Sequence, residues 1–285
     1  MNNSNTRSLM QAHLAVLLFG LAGVIGRGVS SPAFVVTFAR VLFSSVTLGL
    51  FFLFKRQPVR LRRSGDLALL ALAGVIMAAH WTMFMASIQQ AGVAVGTITF
   101  ATFPLFVTFL EPVMFHEKLK PGGIVQALIM LIGVIVLAPL GEPDPGLLYG
   151  ILLGMGSSLT YAILSLLNRR FTASYSSSQV CFYEQGVATI VLLPVMFILR
   201  PELIAADIPY LIVLGIVCTA IAHSLFIASF ARLKVRTAGI ISGMETVYSI
   251  ILASLILAEF PSIREIVGGV IILGVVMYST LKSGE

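Results

Sequence analysis

Two apolar runs joined by a short charged turn decide the fold: PLFVTFLEPVMFHEKLKPGGIVQALIMLIGVIVLAPLGEPDPG, residues 104–146. The first run continues an apolar segment that begins near residue 93, and the second carries no Asp, Glu, Lys or Arg over residues 122–140. A helix needs about 20 residues to cross a bilayer. An acidic, turn-rich segment at residues 141–146 follows in the middle of the chain. The stretch therefore predicts two membrane-spanning helices and a boundary between two halves.

The composition indicates a protein embedded in lipid. Hydrophobic residues make up 58% of the 285 residues, charged residues make up 11%, and the mean hydropathy is +1.01. A soluble domain is typically about 45–50% apolar and about 25% charged. The scarcity of charge excludes disorder, and only two cysteines, both in apolar runs, exclude a secreted disulfide scaffold. The net charge of +6 is scattered over short loops, so we expect no binding to nucleic acid.

Ten segments are long and apolar enough to span a membrane. They cover residues 11–29, 32–54, 67–89, 93–115, 122–140, 146–168, 178–199, 208–230, 235–257 and 263–281. The loops between them are too short for a soluble domain, and the sequence has no Walker-type phosphate-binding motif, so we expect neither ATP hydrolysis nor a cofactor. The sequence predicts an all-α integral membrane protein of a bacterial plasma membrane, whose partners are the lipid bilayer and a small-molecule substrate.

Lysine and arginine residues are distributed unevenly between the two sides of these spans. With the amino terminus in the cytoplasm, fourteen of the eighteen lie in cytoplasmic segments, Arg27, Arg200 and Arg264 lie outside, and Arg40 lies within a span. Short cytoplasmic loops of membrane proteins carry an excess of Lys and Arg. Both termini are therefore predicted to be cytoplasmic.

This topology predicts the signals of reporter fusions along the chain. Fusions at residue 60, residue 143 and the carboxyl terminus should report inside, outside and inside, because an even number of spans separates the two ends. One reporter active only in the cytoplasm and one active only in the periplasm give reciprocal controls. A periplasmic carboxyl terminus would contradict the ten-span topology.

The two halves of the chain resemble each other. The residues FMAS at 84–87 match FIAS at 226–229, and Glu117 and Glu259, each at the end of a span, are separated by the same 142 residues. One repeat then holds five spans, and because five is odd the second copy enters the membrane upside down. This predicts inverted repeats at residues 1–142 and 143–285, an architecture that recurs in secondary transporters.

Both halves carry an apolar span, a glutamate, a short turn and a glycine followed by an apolar residue. In this pattern the chain resembles the drug/metabolite transporter superfamily, EamA type, and is most similar to its YddG-type exporters of aromatic amino acids. The resemblance implies ten helices in a basket around a central cavity, lined by the first four helices of each repeat. Since Phe103 stands where the second repeat has Glu245, we expect an asymmetric site. The residues that carry the resemblance are Pro104, Leu105, Phe106, Glu117, Lys118, Leu119, Gly133 and Val134, then Glu245, Thr246, Val247, Glu259, Gly274 and Val275.

Ten residues are candidates for the substrate site. A charged group at the centre of a bilayer-spanning helix costs about 2.5–3.5 kcal/mol on insertion scales, so those that are kept are functional candidates. Glu245 is nearest the middle of its span and shares a helix face with Ser242 and Ser249. It either faces a substrate ammonium, carries a proton or joins helices by hydrogen bonds. The ten candidates are His80, Trp81, Phe84, Phe100, Phe103, Tyr161, Ser165, His223, Ser242 and Glu245.

Histidine and tryptophan each have two interpretations at this stage. His80 and His223 either contact substrate or make hydrogen bonds between helices. Trp81 is either a core residue or a wall on which a substrate ring stacks. No pair of histidines has i, i+4 spacing, so no metal site is expected.

Local patterns predict how the neighbouring helices run. Pro104 lacks a backbone donor and directly follows Phe103, which predicts a kink beside the cavity. Tyr161 and Ser165 lie off a stripe of small residues on the sixth span and could face the cavity. The stripe predicts close approach of another helix; its members are Gly146, Gly150, Gly154, Ser158 and Ala162.

Four other charged residues have structural interpretations. Arg40 and Glu184 lie at different depths, so each is expected to have its own structural partner rather than to pair with the other. Glu117 and Glu259 recur at the ends of spans and are expected to anchor helix ends.

Three classes of function are compared. The leading hypothesis is a secondary transporter that exports small amphipathic metabolites, aromatic and other amino acids among them, by alternating access. A broader drug or metabolite exporter is the alternative within this class. A membrane enzyme needs a catalytic cluster near one surface, and a channel needs a selectivity filter or a ring of like charges. Neither pattern is visible in the sequence, so we expect a carrier and not an enzyme.

Overall fold

The described part of the chain is helical throughout. The computed structural model describes residues 3–57, 59–63, 65–115, 119, 121–138, 144–172, 174–229 and 235–282. Within these ranges the chain forms eleven α-helices, a 3₁₀ turn at Ala205–Asp207, a π-helical turn at Ile216–Ile221 and no β-strand. The helices are α1 (Asn3–Gly28), α2 (Ala33–Lys55), α3 (Asp66–Phe100), α4 (Phe103–Phe115), α5 (Pro121–Leu137), α6 (Pro145–Thr172), α7 (Ser177–Leu199), α8 (Ile208–Gly215), α9 (Ala222–Ser229), α10 (Val235–Ile256) and α11 (Ile263–Lys282).

Several of these helices are suited to a membrane. Six described segments are long and apolar enough to cross one, and three shorter apolar helices accompany them. Large apolar side chains lie on the outer surface: Phe54 is 80% exposed, Leu255 77% and Ile263 82%. Soluble monomers rarely expose large apolar patches, whereas contact with lipid tails satisfies such a surface. The fold is therefore an integral membrane bundle of helices.

Helix α3 joins the third predicted span to the beginning of the fourth. The predicted boundary between residues 89 and 93 is confirmed, because the helical geometry is interrupted at Gly92, where φ is +89° and ψ is 165°. Glycine adopts this φ without steric strain. The kink frees the N–H of Val93, which donates to Glu259 Oε1 at 2.5 Å. A carboxylate from far along the chain thus replaces the lost helical acceptor.

Glu259 anchors a helix end, as the sequence predicts. Besides the N–H of Val93, its carboxylate accepts a hydrogen bond from Arg27 Nε at 3.1 Å. Arg27 also donates to the carbonyl oxygen of Gln89. These contacts join the end of α1, the kink of α3 and the segment before α11. Glu117, its expected counterpart, lies outside the described residues.

The predicted fourth span is divided just before Pro104. Helix α3 ends at Phe100, α4 begins at Phe103, and Thr102 Oγ1 donates to the carbonyl oxygen of Thr99 at 2.6 Å. Proline has no N–H and is favoured in the first turn of a helix, where that donor is not needed. The predicted interruption is confirmed, and it places Phe100 and Phe103 on two different helices.

The small residues of α6 allow it to pack closely on α3, as predicted. A Cβ atom built on Gly154 would overlap the side chain of Thr99. Ser158 Oγ donates to the carbonyl oxygen of Phe100 at 3.1 Å. This approach brings Tyr161, about one turn further along α6, next to the end of α3.

The eighth predicted span is interrupted by the π-helical turn. Helix α8 ends at Gly215, the wider turn follows at Ile216–Ile221, and α9 continues from it. Thr219 Oγ1 donates to the carbonyl oxygen of Leu214 at 2.8 Å and so satisfies a backbone acceptor beside the widened turn. Turns of this kind occur frequently at functional sites.

Candidate functional site

Five of the predicted site residues form one group of rings, called the ring cluster below. The ring of Phe100 lies 5.4 Å from His80, 5.1 Å from Phe84, 5.1 Å from Tyr161 and 6.0 Å from Phe103, measured between centroids. Tyr161 lies 5.1 Å from His80 and 5.0 Å from Phe103. Aromatic pairs at such distances contribute about 0.5–1.5 kcal/mol beyond their buried area. Rings from α3, α4 and α6 thus form one continuous aromatic surface.

Local backbone geometry explains how these rings meet. His80 and Phe84 are four residues apart on α3 and therefore lie on one face of it. The break between α3 and α4 allows Phe100 and Phe103 to stack, with their planes at 28°. Tyr161 completes the cluster from α6, and its hydroxyl makes no hydrogen bond to a described residue. Ligand sites commonly combine an apolar lining with a few polar groups of this kind.

His80 is held in place by α6. Its Nδ1 lies 2.9 Å from both the carbonyl oxygen and the hydroxyl of Ser157. Depending on which ring nitrogen carries the proton, Nδ1 donates to the carbonyl oxygen or accepts from the hydroxyl. The side chain is 3% exposed. The hydrogen bond between helices that the sequence allowed for His80 is therefore present, and the ring also belongs to the ring cluster.

Trp81 and His223 lie in a second aromatic group. Their ring centroids are 6.0 Å apart, and the ring of Phe19 lies 4.8 Å from His223. Successive residues on an α-helix point about 100° apart. Trp81 therefore faces a different neighbour from His80, and it belongs to a different surface from Phe84.

Arg40 lies over the ring of Trp81. Its Cζ is 3.8 Å from the ring centroid, and its Nε donates to Thr219 Oγ1 at 2.8 Å. A cation over a tryptophan face is a favourable contact, so Arg40 has the structural partners that the sequence predicts. Glu184 is not paired with it and instead hydrogen bonds to Asn168.

Glu245 stands halfway along α10, and its carboxylate has no direct partner among the described residues. It is partly buried and accepts no side-chain hydrogen bond from a described residue. It lies within electrostatic range of Arg40 and Tyr161, but no ion pair within 4.0 Å joins it to Arg40. Charges within membrane proteins usually pair with a protein group or face a cavity. This carboxylate is therefore available to a ligand.

The remaining serine candidates make local contacts. Ser165 Oγ donates to the carbonyl oxygen of Ala162 on its own helix at 2.8 Å. Ser242 is partly buried and makes no side-chain hydrogen bond to a described residue. Ser249, on the same face, donates to the carbonyl oxygen of Glu245 at 2.8 Å. Among the described residues, no hydrogen bond joins these serines to the ring cluster.

Three residues near the site were not candidates on sequence grounds. Ser157 orients His80, Thr219 orients Arg40, and Phe19 lies beside His223. Phe19 stands 142 positions before Tyr161, so the repeat spacing contained the signal for it. Nothing in the sequence marks Thr219, because its position results from the π-helical turn.

A pocket of about 380 Å³ lies away from the ring cluster. It is bounded by Arg27, Gly92, Asp144 and Glu259, at the end of the bundle predicted to face outward. Among the described residues, no group of three or more His, Cys, Asp or Glu side chains is placed to hold a metal ion. The chemistry available at the candidate site is therefore stacking, hydrogen bonding and charge.

Several known transporters are similar to this chain. An uncharacterized transporter of Archaeoglobus fulgidus is 27% identical over 267 residues, with 93% of each chain covered. An S-adenosylmethionine uptake transporter of Rickettsia felis is 28% identical, with 88% of this chain and 84% of that protein covered. The threonine/homoserine exporter RhtA of Escherichia coli is 27% identical, with 87% and 79% covered.

A solved structure and a family profile agree with these relatives. A protein crystal structure superposes with a TM-score of 0.68 over 98% of both chains at 18% identity, which shows a shared fold. The profile of the EamA-like transporter family matches the chain twice, over residues 6–138 and 148–281. Because these two matches leave only the termini and a short central segment uncovered, the protein belongs to the EamA-like transporter family.

Proposed function

We propose that this protein is a secondary transporter that exports a small amphipathic metabolite, and specifically an aromatic or other amino acid, by alternating access. The observation that carries the proposal is the ring cluster together with Glu245, which lies within electrostatic range of Tyr161. A zwitterion that bears a ring needs flat apolar walls and an anion for its ammonium group. The family and the apolar helices point to a multi-pass protein of a bacterial inner membrane that carries a small molecule.

The names of similar proteins support an amino acid as the cargo. Threonine, homoserine and S-adenosylmethionine are the substrates in those names, and each carries an α-amino and an α-carboxyl group. One of these relatives is an exporter and the other an uptake transporter, so direction is the finer part of the proposal. Export follows from the resemblance to the exporters of aromatic amino acids.

The proposal includes ten spans in two inverted five-helix repeats around a central cavity. The two family matches begin at residues 6 and 148, which are 142 residues apart. The helix contacts are also consistent with a twofold arrangement. Helix α1 packs on α10 as α6 packs on α4 and the end of α3, while α5 pairs with α11 and α2 with α7. Such repeats let a central site open alternately to each side.

Counterflow in liposomes tests the proposal. Vesicles loaded with unlabelled L-phenylalanine should take up labelled L-phenylalanine in a saturable way, and unlabelled L-threonine should be tested as competitor. Protein-free vesicles are the control. Non-saturating flux would indicate a channel, and conversion of the label to a new compound would indicate an enzyme. Uptake by inverted membrane vesicles and not by right-side-out vesicles would identify export.

The ring cluster predicts a selective loss when one ring is removed. Phe103→Ala should lower transport of L-phenylalanine several-fold more than transport of L-threonine, because a stacking contact contributes about 0.5–1.5 kcal/mol. Phe109, on the same helix, is 45% exposed, so Phe109→Ala is the matched control and should leave the ratio unchanged. Equal losses for both amino acids would assign Phe103 to packing.

A further inference from the structure

We propose that Arg40 is the carboxylate-binding residue of the site, and that Arg40 and Glu245 together select substrates that carry both an amino and a carboxyl group. This inference rests on the proposed function, because it names the substrate class of the same site. It assigns to Arg40 a role beyond the structural one that its sequence position indicates.

The contacts of Arg40 with described residues involve the face and the Nε atom of its guanidinium group, and not its two terminal nitrogens. Its face lies on the ring of Trp81 at 3.8 Å, and Nε donates to Thr219 Oγ1 at 2.8 Å. The two terminal nitrogens, Nη1 and Nη2, make no hydrogen bond to a described residue. Arginine binds carboxylates through such a planar pair of donors. The protein thus fixes the plane of the group, and among the described residues no partner occupies its two terminal donors.

Glu245 supplies the negative pole of the proposed site, opposite the positive pole formed by Arg40. Its carboxylate interacts with Arg40 through space, yet the two groups are further apart than the 4.0 Å of an ion pair. Desolvated charges are costly unless they are paired with good geometry. A zwitterion placed between them satisfies both, with its carboxylate at Arg40 and its ammonium at Glu245. A ligand with a single charge leaves one pole unmatched, which gives the site selectivity.

The two poles adjoin the aromatic surfaces. Arg40 rests on Trp81, which lies outside the ring cluster but directly follows His80, a member of it. Glu245 lies within electrostatic range of Tyr161, which also belongs to the ring cluster. The amino acid group can therefore bind between the charges while the rest of the substrate reaches the rings. Selection of the amino acid group also fits substrates as different as threonine, homoserine and S-adenosylmethionine in the names of similar proteins.

Binding of three probes to the purified full chain tests this assignment. The probes are L-phenylalanine, 2-phenylethylamine, which lacks the carboxyl group, and 3-phenylpropionate, which lacks the amino group. Arg40→Gln should weaken L-phenylalanine binding about 10- to 100-fold, the value of a hydrogen-bonded charge. Binding of 2-phenylethylamine should stay unchanged or tighten, because a repelling positive charge is removed. Glu245→Gln should show the reverse pattern, weakening L-phenylalanine but not 3-phenylpropionate.

The controls separate selectivity from folding. The ratio of two affinities measured on one sample does not depend on the folded fraction, so it remains informative for a less stable variant. Arg40→Lys keeps the charge but loses the planar pair of donors, and it should give an intermediate ratio. Arg264→Gln removes an exposed arginine at the start of α11 and should leave all three affinities unchanged.

Two outcomes would overturn the assignment, and they differ in what else they exclude. Equal weakening of L-phenylalanine and 2-phenylethylamine in Arg40→Gln and Arg40→Lys would make Arg40 a packing residue, while the proposed transport function would stand. Wild-type protein that binds neither L-phenylalanine nor L-threonine would overturn the proposed function and this assignment together.

Discussion

Glu245→Gln is expected to fold and insert normally and to lose most transport. The carboxylate accepts no side-chain hydrogen bond from a described residue, so glutamine, which has nearly the same size, leaves the packing of α10 intact. What the substitution removes is the negative charge opposite Arg40. A hydrogen bond to a charged group contributes about 1.5–3 kcal/mol, so counterflow of L-phenylalanine should fall by at least about tenfold at subsaturating concentration.

The control for this variant removes an acid elsewhere. Glu202 is exposed before α8, and Glu202→Gln should transport as the wild type does. Transport is compared at matched amounts of protein in the vesicles. Wild-type flux from Glu245→Gln would assign this carboxylate to helix packing and leave His80 or His223 as the polar candidates. If Glu245 also carries a coupling proton, the pH dependence of flux should flatten in the variant.

Gly154→Leu is expected to destabilise the bundle. A single Cβ atom at this position already overlaps the side chain of Thr99, and the hydroxyl of Ser87 lies beside it. A leucine would force α6 away from α3, which is its most extensive neighbour. Overpacking costs about 1–3 kcal/mol even where the surroundings can adjust. We expect a melting temperature lower by several degrees and a smaller monodisperse fraction in size-exclusion chromatography.

A second helical glycine provides the matched control. Gly186 lies within α7, and a Cβ atom built on it meets no other group within 4 Å. Gly186→Leu should therefore leave the melting temperature and the monodisperse fraction close to those of the wild type. A similar loss in both variants would mean that leucine is poorly tolerated in these helices generally, and that close packing at Gly154 is not the cause.

The sequence predicts the helices where local information is sufficient. Long apolar runs place α1, α2, α6 and α7 near their observed positions, and Pro104 marks the break before α4. It also places a boundary at residues 89–93, where the helical geometry is interrupted at Gly92, but it does not predict the contact that holds this kink. That kink depends on an acceptor, Glu259, 166 residues away from Val93. Contacts of such long range leave no periodic signal in the sequence.

The same distinction between local sequence information and long-range contacts applies to the candidate site. His80 and Phe84 share a helix face, so their proximity is local and predictable. Trp81 is expected as core or wall, and it is buried in a hydrophobic core cluster. Arg40, from a different helix, lies over its ring, and tertiary packing determines this partner. Proximity of Arg40 to Glu245 also depends on how α2 and α10 are placed around α3. Depth within a span, which the sequence does give, does not determine these neighbours.

The π-helical turn accounts for a change in the spacing between matching positions of the two proposed repeats. Gly74 packs against α7, and Gly215 packs in the same manner against α2, and these two glycines are 141 positions apart. Phe84 and Phe226, further along, are 142 apart. In the proposed repeat, one more residue therefore lies between Gly215 and Phe226 than between Gly74 and Phe84. A π-helical turn holds more residues than an α-helical turn, and Ile216–Ile221 is where the extra residue is accommodated.

In the proposed repeat, this extra residue makes the two halves differ at the candidate site. Each α-helical residue advances the chain by about 100°, so without the insertion Thr219 would point away from Arg40. With the offset of 141 that applies before the extra residue, the position that corresponds to Arg40 is Cys181, which is not a cation that a hydroxyl could orient. In the proposed repeat, the gain of one residue thus adds the contact between Thr219 and Arg40 to the candidate site in one copy only.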